Sequence, residues 1–115
     1  MISEREDMPR IVAIYGSPRR NGNTSTLLKQ SVRGAVEAGA TVTEFVLRDL
    51  QMSPCLEIYA CKESGLCAIK DDFETVRDHL TAAKGVMIAS PIFFYTVSAQ
   101  IKILMDRCQS LWVKK

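Results

Sequence analysis

Short apolar runs and longer amphipathic stretches alternate along this chain. Residues Arg10 to Tyr15 form a β-branched apolar run that stops at Gly16, a length and composition that predict a buried strand. Pro18 to Gly22 is turn-rich. From Asn23 to Ala38 the spacing becomes helical, with Leu27, Leu28, Val32, Ala35 and Val36 roughly on one face and Gly39 placed as a C-terminal cap. Thr41 to Leu47 alternates and is β-branched, which predicts a second strand carrying Val42, Phe45 and Val46. A long polar stretch, Arg48 to Lys70, follows. Asp71-Asp72 then opens a second helix, whose Phe73, Val76, Leu80 and Ala83 recur at helical spacing. Gly85 to Ala89 is a third apolar strand ended by Ser90-Pro91. The last helix, Val97 to about Val113, carries Ile101, Leu104, Met105, Cys108, Leu111 and Trp112 as its apolar stripe.

Strands alternating with helices specify an α/β fold with a parallel sheet. Ligands in such sheets bind outside the carboxyl ends of the strands. The two loops expected there are Ser17 to Gly22 and Ser90 to Thr96. With 115 residues, 47% hydrophobic and 24% charged, the chain has the length of one domain, read as a polar tail over 1–9 and a domain over 10–115. Fifteen basic residues against thirteen acidic ones, without a block of like charge, argue against nucleic acid as a partner. The apolar stretch from Gly85 to Ser98 is too short and too interrupted to span a bilayer, and the polar N-terminus lacks a secretory core. These features point to the cytoplasm, where cysteines are thiols or ligands before they are disulfides.

The loop after the first strand has the composition of an anion site. Free amides and the dipole at a helix N-terminus favour negative charge. Ser17, Thr24 and Ser25 add hydroxyls, Asn23 an amide, and Arg19 or Arg20 a guanidinium fork. A phosphate fits this set. No Gly-Lys-Ser/Thr follows, so it is not a nucleoside-triphosphate loop, and the five residues between Gly16 and Gly22 exclude the Gly-x-Gly-x-x-Gly dinucleotide fingerprint. The competing reading is a helix capped by Asn23 or Thr24, with the arginines in solvent.

Gly16-Ser-Pro-Arg-Arg-Asn-Gly-Asn-Thr-Ser, entered from a strand, resembles the FMN phosphate loop of flavodoxin-like NAD(P)H-dependent FMN reductases and iron–sulfur flavoproteins. The resemblance continues through Asp71-Asp72, Ser90-Pro-Ile-Phe-Phe-Tyr and Ser98-Ala-Gln-Ile-Lys to Asp106-Arg107. It implies a flavodoxin-like three-layer sandwich, with FMN phosphate held by Ser17, Arg19, Asn23, Thr24 and Ser25. It also implies that Pro91, Ile92, Phe93 and Phe94 lie against the isoalloxazine ring. Phe93 stands where many relatives carry tyrosine, so a hydroxyl contact is lost there. The alternative is that one or two of these aromatics pack beneath the last helix, which for Tyr95 competes evenly with a flavin contact.

Cys55, Cys61 and Cys67 are spaced C-x5-C-x5-C, and Cys108 falls on the last helix. This excludes a Cys-x5-Arg phosphate-nucleophile loop, and without Cys-x-x-Cys it gives zinc little support. The resembling iron–sulfur flavoproteins carry C-x2-C-x2-C-x5-C; aligned to it, this loop places Ile58 where one ligand belongs. Three thiolates fall short of the four a four-iron cluster normally takes. The expectation is therefore a loop of structural or subunit-contact thiols rather than an iron–sulfur cluster, with Cys108 buried. Asp71-Asp72 reads as a helix cap, His79 as a solvated side chain, and Asp106-Arg107 as a salt-bridged or interface feature.

The resemblance implies an oxidoreductase that takes electrons from NAD(P)H through FMN to a small-molecule or protein acceptor, with no acid–base or nucleophilic residue required. A flavin carrier without a nicotinamide site, or a domain that binds no cofactor, are the alternatives. The flavodoxin order 2-1-3-4-5 needs five strands, and the sequence offers candidates for three. The expected sheet is therefore 2-1-3 with its third strand as an open edge, in a fragment or a truncated product that forms a homo-oligomer.

Overall fold

The β-branched run at the start of the chain lies at the centre of the sheet, where both of its faces are covered. The computed structural model describes residues 9–19, 21–55, 69–109 and 111. Within them β1 (Arg10–Tyr15) leads to α1 (Asn23–Glu37), β2 (Thr41–Val46), a 3-10 turn (Leu47–Asp49), α2 (Phe73–Ala82), β3 (Gly85–Ala89) and α3 (Ala99–Arg107). The strands stand in the order β2-β1-β3, and both pairs are parallel. Val12 and Ile14 point to one face, against Leu47, Phe73 and Val76 and against Ile101 and Leu104 of α3. Ala13 and Tyr15 point to the other, against Leu28 and Val32 of α1. Two apolar layers on a parallel sheet make the flavodoxin-like three-layer fold that the alternation implied.

The helices are narrower than their apolar residues suggest. On α1 the inward stripe is Ser25, Leu28 and Val32; Leu27 sits more than a quarter-turn round the cylinder and faces solvent, and Val36, though in line with Val32, is exposed in the helix's last turn. On α3 the same geometry buries Ile101 and Leu104 and exposes Met105. The last helix also begins later than its pattern suggested, because the Ser98 side chain caps it, and it closes at Arg107. Trp112, Lys114 and Lys115 lie outside the described residues. At the end of α1, Gly39 adopts φ +103°. The amides of Gly39 and Ala40 return to the carbonyls of Val36 and Ala35, a Schellman closure that few residues other than glycine permit.

A buried ion pair joins α3 to both ends of the cysteine-bearing connection. Arg107 is 1% exposed. Its guanidinium donates to Asp71 Oδ2 at 2.8 Å and Oδ1 at 2.9 Å, to the Ser53 carbonyl at 2.8 Å and to the Ile69 carbonyl at 3.4 Å. It also lies 4.8 Å from the centre of the Phe73 ring, close enough for a cation–π contact. Asp71 accepts further bonds from the amides of Ser53 and Phe73. The helix-cap role expected of Asp71-Asp72 thus falls to Asp71, through the Phe73 amide. Asp72 instead turns its carboxylate to the Gln51 amide, at 2.7 Å. Asp106 pairs with Lys102 one turn back, at 2.5 Å. His79 is exposed as expected, with its ring edge-on to Phe45.

Burial by itself would raise the Asp71 pKa. The Arg107 hydrogen bonds, the two backbone amides and the guanidinium charge outweigh it and hold the carboxyl below its ordinary value. A folded-state pKa below the unfolded one stabilises the fold above about pH 4 and is lost as pH falls through the folded value. Urea unfolding should therefore show an acid limb below about pH 4 that Asp71→Asn flattens. At neutral pH, Arg107→Met, which leaves Asp71 with no cation, should cost about 3–5 kcal/mol.

Candidate functional site

The carboxyl ends of β1 and β3 are tied together before either loop begins. The Gly16 amide donates to the Ala89 carbonyl at 2.8 Å. The Gly16 carbonyl accepts from the Ser98 hydroxyl at 2.7 Å, and the same hydroxyl oxygen caps α3 by accepting the Ile101 amide at 3.3 Å. The Ser98 amide in turn donates to Ser90 Oγ at 2.9 Å. A Cβ at Gly16 would meet Ile101 Cγ1 at 2.4 Å and the Ala89 carbonyl at 3.0 Å, so only glycine lets α3 close over this point. In the sequence Gly16 marks a strand end and Ser98 belongs to a motif. Their partnership is a long-range contact with no local periodicity to announce it.

The first loop is folded on its own hydroxyls. Ser17 Oγ accepts the Arg19 amide at 3.0 Å, and Ser25 Oγ donates to the Arg19 carbonyl at 3.1 Å. Arg48, which follows β2, holds the Pro18 carbonyl from outside. Ser17 and Ser25 are buried, Thr24 is half-buried, and Arg19 and Asn23 are exposed. The N-cap of α1 is Gly22 rather than Asn23 or Thr24, it makes no side-chain cap bond, and the first turn carries no acid. The leading amides of α1 therefore face the loop mouth without a competing carboxylate, as an anion site requires. Arg20 lies outside the described residues.

The second loop presents apolar surface to solvent. Ile92 is 81% exposed, Phe94 and Tyr95 are each 93% exposed, and Phe93 is less so. None of the four packs beneath α3, which overturns that reading for Tyr95. Pro91 is half-buried at the loop's start. Phe93 and Thr96 exchange both backbone hydrogen bonds across a two-residue turn. Phe94 and Tyr95, its central residues, have φ of 46° and 70°. Both positive angles match a type I′ turn, a shape that favours Asn-Gly and penalises aromatic residues. The loop therefore keeps two solvent-facing rings, 5.7 Å apart, at a conformational cost.

Of the cysteines, Cys55 is half-buried and accepts a weak bond from the Gln109 side chain at 3.4 Å. Cys108 is half-buried against the core, and burial pushes its thiol up. Cys61, Cys67 and Ile58 lie outside the described residues. Among the described residues no three His, Cys, Asp or Glu side chains gather as a metal site.

Replacing Phe94-Tyr95 by Asn-Gly should relieve the positive-φ strain and stabilise the fold by about 1–2 kcal/mol in urea unfolding. Ser98→Ala strands the Gly16 carbonyl and uncaps α3, and should cost about 1–3 kcal/mol in the same measurement.

The family model for NADPH-dependent FMN reductases matches residues 9–115. An iron–sulfur flavoprotein of Methanocaldococcus jannaschii is 40% identical over 103 residues, 89% of this chain and 53% of that protein. One from Archaeoglobus fulgidus is 40% identical over 101 residues, 88% of this chain and 51% of its own length. One from Methanosarcina thermophila is 30% identical over 98 residues, 85% of this chain and 51% of its own. The chain spans about half the length of these relatives. Among solved structures, a flavone reductase superposes with a TM-score of 0.66 at 25% identity, covering 86% of this chain and 29% of the other. With the site geometry and the match over nearly all its length, this chain belongs to the NADPH-dependent FMN reductase family.

Proposed function

We propose that the chain binds FMN non-covalently and acts in an oxidoreductase that draws electrons from NAD(P)H. What carries the reading is one juxtaposition: an α1 N-terminus without a side-chain cap or an acid, held against a solvent-facing apolar loop by the Gly16–Ala89–Ser98 bonds. The first half suits a phosphate monoester and the second a flat aromatic ring. Family membership and the flavoprotein names of the relatives support the same cofactor.

Ser17, Arg19, Asn23, Thr24 and Ser25 hold the phosphate. The α1 amides supply fixed donors, the hydroxyls complete the shell, and Arg19 supplies the charge. Pro91, Ile92, Phe93 and Phe94 wall the ring and exclude water from one of its faces. FMN held there would supply the redox chemistry between NAD(P)H and a small-molecule or protein acceptor. The residues of this chain bind and orient it; none donates or removes a proton in this scheme.

Arg19→Ala combined with Thr24→Ala removes the charge-assisted contact and one hydroxyl. Fluorescence titration should show FMN affinity falling at least tenfold, with riboflavin affinity changed less than about twofold. Equal losses for both ligands would overturn the phosphate assignment.

A further inference from the structure

The peptide joining Pro18 to Arg19 is held at both of its polar ends. Its N–H goes to the buried Ser17 Oγ at 3.0 Å. Its carbonyl accepts from the Arg48 guanidinium. The N–H and the carbonyl of a trans peptide point in opposite directions. With the N–H turned in to the loop's own hydroxyl, the carbonyl points outward, and Arg48 meets it there. The next carbonyl, that of Arg19, is taken by Ser25 Oγ at 3.1 Å. An anion site gathers N–H groups and is weakened by any carbonyl oxygen turned into it. Here the two carbonyls in the middle of the loop are both engaged by side chains.

Arg48 reaches Pro18 from fixed ground. It follows Leu47, which is buried in the core, in the 3-10 turn closed by the Leu50 amide on the Leu47 carbonyl at 3.1 Å. Just beyond, the amides of Gln51 and Ser53 are held by Asp72 and Asp71. Inside the sheet, the Tyr15 hydroxyl donates to Glu44 Oε1 at 2.5 Å and joins the ends of β1 and β2. The Arg48–Pro18 bond carries that join past the strand ends into the loops. Arg48 Nε also lies 3.8 Å from Asp49 Oδ1, and the Arg48 side chain is 40% exposed. An exposed, partly neutralised cation contributes little through distant charge. Its weight therefore lies in the bond to Pro18.

We propose that Arg48 is a positioning residue for the phosphate loop: it holds the Pro18 carbonyl away from the anion and sets the loop without touching the phosphate. The inference rests on the FMN reading and adds a residue that lies outside the loop, 30 positions along the chain from the carbonyl it holds. A cation acting only through its field would give a different signature, because salt would abolish its effect.

Two measurements on the full chain separate these roles. In fluorescence titration, Arg48→Met should weaken FMN about fivefold, with riboflavin changed less than about twofold and with the loss persisting in about 0.5 M sodium chloride. Arg48→Lys, which keeps a donor, should stay within about twofold of the native chain. In the ligand-free Arg48→Met chain, the Arg19 amide should exchange with solvent about tenfold faster by NMR while the β1 amides keep their rates. A loss that vanishes in salt would make Arg48 a distant charge and overturn the proposal. An equal loss for riboflavin, or an unchanged Arg19 exchange rate, would overturn it too. If the native chain takes no FMN yet Arg48→Met still frees the Arg19 amide, the FMN reading falls and the hold of Arg48 on the loop stands.

Discussion

A guanidinium withdrawn from water must be met by acceptors, and in this chain Arg107 gathers them from two segments far apart in sequence, Ser53 and the stretch from Ile69 to Asp71. The Asp71 carboxylate, the Ser53 carbonyl and the Ile69 carbonyl converge on it, with Phe73 beneath. The pair is weak evidence of net stability, since apolar residues of similar volume often serve as well. What it imposes is arrangement. Once Arg107 is inside, the start of α2, the end of α3 and both ends of the connection bearing Cys55 have one permitted relation. Any displacement leaves a buried charge without its partner.

That arrangement makes α3 a strut with a polar anchor at each end. At its C-terminus Arg107 grips the base of the cysteine-bearing connection. At its N-terminus Ser98 grips the Gly16 carbonyl and, through its amide, Ser90. Ile101 and Leu104 between them fill the core against Val12 and Ile14. The two loops at the strand ends are therefore positioned by a helix neither of them contains. If the two loops hold the phosphate and ring of one cofactor as proposed, a shared strut is what would keep the spacing that cofactor needs.

The strands, their order and the two loops were legible because each depends on local pattern: a β-branched run, a helical period, a turn cluster. The loop proposed to hold a phosphate stands out for the same reason, since hydroxyls, an amide and an arginine crowd a strand-to-helix turn. What could not be read was partnership across the chain. Asp71 and Arg107 are 36 residues apart; local pattern marks one as a helix cap and the other as a salt-bridged or interface feature, and does not join them. Gly22, rather than Asn23 or Thr24, is the N-cap of α1 and provides no side-chain cap. Helical spacing puts Leu27 and Val36 roughly on the apolar face, but α1 buries only Ser25, Leu28 and Val32. Glu44 sits among strand residues whose alternation gives no hint that a phenol from the neighbouring strand will hold it.

The loop between β1 and α1 inherits its constraints from the end of β1. Tyr15 and Gly16 are consecutive, so their directions are opposed by the pleat of β1. Tyr15 turns toward α1 and β2 and fixes Glu44. Gly16 lacks a side chain and lets α3 close on the other face. The backbone of Arg19 is held from both sides by Ser17 and Ser25, while its side chain is exposed and crosses Gly22. The loop backbone is thus set by Ser17 and Ser25 from within and by Arg48 from outside. An anion taken there as proposed would meet a loop already fixed in place, so Arg19 would add charge to the site without having to shape it.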